Sequence, residues 1–203
     1  MVAAVVFDIG GVLLDWDPRH LYRKLIADPA ALEDFLGRVC TPAWHRAHDL
    51  GADVEASCRE LARRHPARAD LIMAWHARGG EMVAGQFDAA VAVLAEVKGL
   101  GLRCLALSNM EPGAYRSRRT AFGFFGLLDG CVISGLEGVA KPDPAIYQIL
   151  LARYRLEPAT TVFVDDSPSN VAAGRRAGLA ALLYRGAGRL RADLRALGIP
   201  LAP

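Results

Sequence analysis

The sequence predicts an α/β protein: an open, parallel, Rossmann-like sheet with helices on both faces and an inserted helical cap. Three observations predict this fold class. Short apolar runs alternate with helical stretches, one long segment is helical throughout, and polar residues follow the apolar runs. Strands that alternate with helices are typical of parallel sheets with helical crossovers. A chain of 203 residues with 53% hydrophobic side chains buries enough surface to fold without disulfides or a structural metal.

Five short apolar runs predict the strands of the sheet. The first, residues 2–7, is too short for an ordinary helix, is rich in valine and ends at the glycine turn Asp8-Ile9-Gly10-Gly11. Continuous apolar runs of this length indicate strands buried on both faces. The other runs are residues 103–107, 131–133, 161–164 and 179–184. The helical stretches are residues 89–98, 114–121, 144–154, 169–177 and 189–197.

Residues 18–86 break this alternation and are predicted to form a helical insertion without a strand. Their apolar residues recur at helical spacing, as at Leu21 and Leu25. An insertion after the first strand stands over the carboxyl ends of the strands, where open α/β folds bind ligands. We therefore divide the chain into an α/β core, residues 1–17 and 87–203, and a helical cap, residues 18–86.

Composition predicts a cytoplasmic protein, either a monomer or a homodimer. The formal net charge of +2 gives no electrostatic reason to expect a nucleic-acid or membrane partner. The amino-terminal segment has neither the basic region nor the long apolar stretch of a signal peptide or anchor. The four cysteines are widely scattered, which favours a reducing compartment.

Four polar clusters each follow a predicted strand. In a parallel sheet the ends of those strands meet at one edge, so we expect the clusters to converge there. One acid at a strand end is more often a helix cap, but four clusters at one edge indicate an active site. The clusters are Asp8, Ser108 with Asn109, Lys141, and Asp165 with Asp166.

These residue types suit phosphoryl transfer. Asp8 and Asp166 would repel each other unless a cation lay between them, and an all-oxygen site with open positions favours Mg²⁺. Lys141 supplies a positive charge, Ser108 a hydroxyl donor and the Gly10-Gly11 turn backbone N–H groups, which match the needs of a phosphoryl group. Asp8 is then free to act as a nucleophile through one oxygen.

The sequence resembles the four ordered motifs of the haloacid dehalogenase superfamily, and the insertion resembles that superfamily's small helical cap. The motifs run through the whole chain in the family's order. They are Phe7-Asp8-Ile9-Gly10-Gly11-Val12, Leu107-Ser108-Asn109, Lys141-Pro142-Asp143-Pro144-Ala145-Ile146-Tyr147 and Val164-Asp165-Asp166.

This resemblance implies a Mg²⁺-dependent phosphohydrolase acting on a small phosphorylated metabolite, such as a sugar phosphate, through an aspartyl phosphate. Asp8 is then the nucleophile, and it binds Mg²⁺ together with the Gly10 main-chain carbonyl and the Asp166 carboxylate. Ser108 and Lys141 are the catalytic contacts to the phosphoryl group.

Four further residues complete the site that the resemblance implies. Gly11 and Asn109 contact the substrate with Ser108 and Lys141. Asp165 and Asn170 lie behind the metal ligands, and the Asn170 amide orients Asp166 by hydrogen bonding.

The chain departs from the superfamily's common pattern at Gly10, where most members place a second Asp that acts as general acid and base. The form Asp-x-Gly-x-Val followed by Asp15-Trp16-Asp17 resembles a bacterial subgroup that includes α-glucose-1-phosphate phosphatase. Loss of the usual Asp therefore does not imply inactivity. Asp15 is the first candidate for its replacement.

Two other functions stay open. In a 2-haloacid dehalogenase-type hydrolase, Asp8 would displace halide from carbon. The Asp165-Asp166 pair disfavours this reaction, because it needs no divalent cation and bare carboxylates repel an anionic substrate. Gly10 also suggests a catalytically idle member that binds a phosphometabolite or a protein, which the retained nucleophile and Lys141 disfavour.

A zinc site in the insertion is not expected. Cys40, His45, His48 and Cys58 lack the spacing of common zinc sites. For His45 and His48 we favour a position on a helix surface, and lining of the substrate entrance is the alternative.

Two further features have competing explanations. The basic run at residues 116–119 favours a solvated helix face over a phosphate or nucleic-acid contact. Trp16 either stacks on a sugar or fixes the cap to the core.

Overall fold

The computed structural model describes residues 1–202 and contains a five-stranded sheet flanked by helices. The strands are β1 (Ala4–Phe7), β2 (Leu14–Trp16), β3 (Val83–Gln86), β4 (Arg103–Ser108), β5 (Gly130–Ile133), β6 (Thr161–Asp165) and β7 (Ala180–Leu183). The helices are α1 (Arg19–Tyr22), α2 (Pro29–Asp34), α3 (Pro42–Asp49), α4 (Val54–Arg64), α5 (Ala69–Ala77), α6 (Asp88–Gly99), α7 (Pro112–Ala121), α8 (Ser134–Glu137), α9 (Pro144–Tyr154), α10 (Pro168–Arg176) and α11 (Ala187–Ala196). A π-helical turn, Phe35–Val39, extends α2.

The main sheet is parallel throughout, in the order β5-β4-β1-β6-β7. Alternate residues of a strand face opposite sides of a sheet, and in β1 both sides are buried. Val5 and Phe7 join an apolar cluster that includes α6 and α11, whereas Val6 joins a second cluster with α9 and α10. The open parallel sheet with helices on both faces is therefore confirmed.

A third apolar cluster lies among α1 to α5 and includes Tyr22, Phe35 and Trp75. The prediction that residues 18–86 contain no strand is wrong, because β3 pairs antiparallel with β2. The chain thus enters and leaves the cap through a two-stranded ribbon. The division at 17/18 and 86/87 stays a prediction, and Pro203 at its end lies outside the described residues.

Strand order places the site at the middle of the sheet. The chain runs outward from β1 to β4 and β5, then crosses back to β6 and β7 on the other side of β1. Ligands bind at such reversals, outside the carboxyl ends of the strands. β1, β4 and β6 are adjacent there, and these strands end beside or at Asp8, Ser108 and Asp165.

The cap helix α3 is anchored on the core near this edge. The Ser134 hydroxyl donates to the carbonyl oxygen of Asp49 at 2.5 Å and accepts the N–H of Met110 at 3.0 Å. A Cβ atom at Gly51 would lie 2.8 Å from the carbonyl oxygen of Gly135, so only glycine permits this approach. The end of α3 is therefore held close to the loop that follows Ser108.

Within residues 1–202, every helix is too short or too polar to cross a membrane.

Candidate active site

Asp8, Ser108, Lys141 and Asp165 converge at the carboxyl edge of the sheet, as predicted. All four are buried, although each carries a polar or charged side chain. Buried charges are stable only when they are paired and hydrogen-bonded. The contacts among them therefore determine what the site can do.

The ammonium group of Lys141 is fully engaged. Its Nζ lies 2.9 Å from Asp8 Oδ2, 2.7 Å from Asp165 Oδ2 and 2.7 Å from the carbonyl oxygen of Leu107. An ammonium has three N–H donors, so each donor has one acceptor here. Burial opposes the charged form, but the two carboxylates outweigh it and raise the pKa of Lys141. Lys141 thus remains charged and holds Asp8 in place, while its predicted contact with a phosphoryl group stays a prediction.

Asn109 pairs with the main chain of Lys141, and its predicted substrate contact stays a prediction. Its Nδ2 donates to the carbonyl oxygen of Lys141 at 2.9 Å, and its Oδ1 accepts the N–H of Lys141 at 2.8 Å. This two-way pairing joins the loop after β4 to the segment that carries the lysine. Asn109 therefore positions Lys141, and through it Asp8.

Asn170 orients Asp165, which corrects the prediction that it orients Asp166. The Asn170 Nδ2 donates to both oxygens of Asp165, at 3.0 and 3.2 Å. The N–H of Ser167 also donates to Asp165 Oδ1, at 2.8 Å. Together with Lys141, these donors fix Asp165 as a buried structural carboxylate. Asp166 is exposed and, within residues 1–202, receives no hydrogen bond from another side chain.

The three carboxylates form a group that fits a divalent cation. Asp8, Asp165 and Asp166 each offer an oxygen, and these oxygens lie within 4.8 Å of one another. Burial raises the pKa of Asp8 to about 7 against the opposing effect of Lys141. Burial and the neighbouring Asp165 also raise the pKa of Asp166. A cation between Asp8 and Asp166 would favour both charged forms, and an oxygen-only donor set suits Mg²⁺.

Gly11 is required for the position of Asp166. Its φ is +74°, and a Cβ atom there would lie 2.3 Å from Asp166 Oδ2. The N–H of Gly11 donates to the carbonyl oxygen of Leu14 at 2.9 Å. The expectation that this N–H faces the substrate is therefore wrong, because the turn itself uses it. Gly10 lines the site cavity beside Asp8, and its predicted carbonyl contact with Mg²⁺ stays a prediction.

Substitution Gly11→Ala should lower both stability and activity. A left-handed conformation costs a non-glycine residue about 1–2 kcal/mol, and the new methyl group would displace the Asp166 carboxylate. We expect a lower melting temperature and a higher Mg²⁺ requirement for activity. Gly10→Ala is the stability control, since a Cβ there meets no atom within 4 Å. Equal melting temperatures for both variants would contradict this account.

A cavity of about 340 Å³ lies in front of Asp8. Residues that were not predicted as site residues line part of it, namely Trp16, His45, Asp49, Met110, Glu111, Ala114 and Arg118. Asp15, the candidate acid, does not line this cavity and instead pairs with His20 at 2.9 Å. Asp49 is the cap carboxyl group that faces it. The sequence signal that could have identified His45 and Asp49 is their four-residue spacing, which places both on one face of α3.

Trp16 and His45 connect the ribbon to the cap at this cavity. Their rings stack with centroids 5.1 Å apart and planes 18° apart. Trp16 also packs against the apolar cluster of the cap. The contact supports the explanation in which Trp16 fixes the cap to the core, and the same ring lines the cavity. The preferred position of His45 and His48 on a free helix surface is wrong, because both line cavities.

Burial favours the uncharged forms of both His45 and Asp49. Their closest atoms, His45 Nε2 and Asp49 Oδ1, lie 3.6 Å apart. Burial, with His48 and Arg118 nearby, lowers the pKa of His45 to about 4. Burial raises the pKa of Asp49 to about 6, although Arg46, Lys141 and Arg118 oppose this shift.

His45 should make the fold acid-sensitive between pH 6.5 and 4. Its folded-state pKa of about 4 lies below the ordinary value of 6.5, so the unfolded state binds the extra proton and stability falls as pH falls. The loss is about 3 kcal/mol at most. His45→Gln should flatten this acid limb in thermal melts. The raised pKa of Asp49 makes the stability rise as pH falls, which partly offsets the effect of His45 in the wild type. The control variant is His76→Gln, which changes an exposed histidine. Parallel melting profiles for the two variants would refute the assignment.

The sheet, the buried Asp8–Lys141 pair and the acidic cluster are typical of a capped α/β hydrolase. The model of the haloacid dehalogenase-like hydrolase family matches residues 2–178, and the chain belongs to this family. The chain is 26% identical over 191 residues to a sesquiterpene phosphatase of Aspergillus oryzae, a match that covers 88% of each protein.

Two solved structures show the same fold. A HAD-like family hydrolase from Porphyromonas gingivalis superposes with a TM-score of 0.74 at 21% identity, covering 97% of this chain and 98% of that one. An aspartate-to-alanine variant of a HAD family enzyme from Bacteroides thetaiotaomicron, in complex with magnesium and inorganic phosphate, gives a TM-score of 0.69 at 17% identity. That match covers 91% of this chain and 95% of the other.

Proposed function

We propose that the chain is a Mg²⁺-dependent phosphatase that releases phosphate from a small phosphorylated metabolite through an aspartyl phosphate on Asp8. The observation that carries this proposal is the buried Asp8–Lys141 pair beside the exposed carboxylate of Asp166. A phosphatase of the α-glucose-1-phosphate phosphatase-like subgroup is the finer assignment, and it rests on the Asp-x-Gly-x-Val form of the first motif.

Asp8 is arranged to attack and then to be regenerated. Its Oδ1 accepts the N–H of Ile9 at 2.7 Å and its Oδ2 faces Lys141, which fixes the carboxylate at the mouth of the cavity. One oxygen attacks phosphorus in line, and the bond to the leaving oxygen breaks. Water then cleaves the acyl phosphate, releases inorganic phosphate and restores Asp8.

Groups at the same edge of the sheet stabilise the negative charge of the phosphoryl group. Mg²⁺ held by Asp8, Asp166 and the Gly10 carbonyl supplies Lewis-acid stabilisation of the phosphoryl oxygens when bound. Ser108 offers a hydroxyl donor from the end of β4, and Lys141 supplies one positive charge beside Asp8. The related phosphatase supports this chemistry over carbon–halogen displacement. Asp166 supports it as well, since a dehalogenase has no need of an exposed carboxylate there.

Chelation tests the proposal. EDTA should abolish phosphate release from p-nitrophenyl phosphate and from sugar phosphates, and added Mg²⁺ should restore it. Asp166→Asn should raise the Mg²⁺ concentration needed for half-maximal rate, because one charged ligand is lost. Asp17→Asn, outside the site cavity, is the control. Activity that survives thorough chelation, or halide release from 2-haloacids without phosphate release, would overturn the proposal.

A further inference from the structure

Arg118 is a half-buried cation without a partner. It lies on α7 and faces the site cavity, which corrects the expectation that the basic run at residues 116–119 is a solvated face. Within residues 1–202 its guanidinium makes no salt bridge and no hydrogen bond, and only the more distant charges of Glu111 and Asp49 act on it. Neighbouring Arg116 and Arg119 are exposed. A desolvated guanidinium with five free donors is costly unless a ligand pairs with it.

Neither of the two carboxyl groups near Arg118 forms an ion pair with it. The carboxylate of Glu111 accepts the N–H groups of Gly113 and Ala114 and so caps the start of α7. Asp49 has a pKa raised to about 6 by burial and lies closest to His45. The positive charge of Arg118 therefore remains available to a ligand.

Arg118 stands where the site cavity meets a larger one. The second cavity has a volume of about 750 Å³ and lies between cap and core. Trp16, His45, Glu111, Ala114 and Arg118 line both cavities. A phosphate ester attacked by Asp8 in the smaller cavity has room for its leaving group along this shared wall and beyond it.

Unpartnered polar atoms lie behind the wall of the larger cavity. His48 is fully buried and lines this cavity, yet neither of its ring nitrogens has a hydrogen-bond partner. Nδ1 of His45 is likewise buried and unpartnered. Because these nitrogens are sealed from the cavity, the contact with a charged ligand group is assigned to Arg118.

We propose that Arg118 binds a second anionic group, a carboxylate or a phosphate, on the leaving part of the substrate, in the cavity that it shares with His48. This inference rests on the proposed phosphatase function and narrows its substrates to phosphomonoesters with a second negative charge. A charge-assisted pair of this kind gives roughly 10- to 100-fold discrimination.

The test compares matched charged and neutral substrates. The pairs are 3- and 4-carboxyphenyl phosphate against their carboxamides, and 1,4-butanediol bisphosphate against 4-hydroxybutyl phosphate. The first pairs report a carboxylate and the last a second phosphate. In the wild type, kcat/KM should favour the charged member of at least one pair. Arg118→Met should reduce that preference about 10- to 100-fold. The ratio of kcat/KM for the charged substrate to that for the neutral one is compared between the wild type and Arg118→Met, so differences in leaving-group reactivity cancel.

Arg119→Met is the matched control, since Arg119 is the exposed neighbour on the same helix and lines neither cavity. It should keep the wild-type ratios. Equal losses of kcat/KM for charged and neutral substrates in Arg118→Met would overturn the inference while leaving the phosphatase function intact.

A binding measurement tests the inference even if the protein is not a phosphatase. Should the wild type release phosphate from none of these esters, calorimetric titration with 4-carboxybenzylphosphonate and its carboxamide decides. Stronger binding of the carboxylate that depends on Arg118 would support the anion site, and equal or undetectable binding of both would refute it.

Discussion

Replacing Asp8 by Asn should reduce phosphate release by roughly 10⁴-fold or more, because the substitution removes the attacking oxyanion. The fold should survive. The amide oxygen can replace only one of the two carboxylate oxygens, so its NH2 group faces either Ile9 N–H or Lys141, but one buried carboxylate less lowers the charge repulsion with Asp165. Initial rates with p-nitrophenyl phosphate and a thermal melt of the same preparation measure both effects.

The matched control for this variant is Asp17→Asn. Asp17 lies close in sequence, is only partly buried, and pairs with Arg19 at 3.3 Å away from the cavity. We expect it to retain wild-type turnover. Near-normal turnover in Asp8→Asn would mean that Asp8 is a metal ligand or structural acid and that another group attacks phosphorus.

The sequence predicts the sheet well because its central strands β1, β4 and β6 are buried on both faces. Such strands appear as continuous valine- and leucine-rich runs, and the glycine or acidic residues that follow them mark their ends. The strands β2 and β3 of the ribbon lack this apolar pattern. β3 reads Val-Ala-Gly-Gln, is partly exposed, and is stabilised by a partner about 70 residues earlier. No local pattern encodes that pairing.

The site is predictable to the extent that strand ends determine it. Asp8, Ser108 and Asp165 follow directly from strand order, since neighbouring parallel strands end at one edge. What the sequence does not specify is which of two adjacent carboxylates a helix residue reaches. Asn170 lies on α10, and the direction of that helix sets its amide against Asp165 rather than Asp166.

Helix residues around the cavity pose the same problem more strongly. Asp49 and Arg118 belong to different helices and reach one cavity only because α3 is anchored on Ser134. Helical periodicity describes which face of a helix is apolar but not which helix it meets. For this reason Arg118 reads as an ordinary surface arginine in the sequence and as a cavity residue in the structure.

Gly10 should make the wild-type rate depend steeply on the leaving group. The position lacks the carboxyl group that would protonate the departing oxygen and activate water. Aryl phosphates should therefore turn over much faster than alkyl phosphates when transfer to Asp8 limits the rate. When hydrolysis limits it, acid quenching should trap an aspartyl phosphate. A positioned acid or base contributes about 10²- to 10⁴-fold, and that range is the expected deficit for alkyl esters.

The structure allows this deficit to be repaired. A Cβ atom at Gly10 meets nothing within 4 Å, and the φ of this residue lies outside the left-handed region. Gly10→Asp should thus place a carboxyl group beside the cavity and raise the rate with alkyl phosphates by about 10²- to 10⁴-fold. The rate with p-nitrophenyl phosphate should change little, because nitrophenolate leaves without a proton.

Gly10→Asn separates proton transfer from size, since its amide fills the same space but cannot act as an acid or base at neutral pH. It should show no gain. A wild-type enzyme with a flat leaving-group dependence and no trapped intermediate would mean that a residue of this chain already supplies the proton. Asp49 is then the residue to replace, because it is the cap carboxyl group that faces the cavity and its pKa of about 6 leaves a protonated fraction near neutral pH. In that case Asp49→Asn should create the steep dependence that the wild type lacks, and Gly10→Asp in the same chain should remove it again.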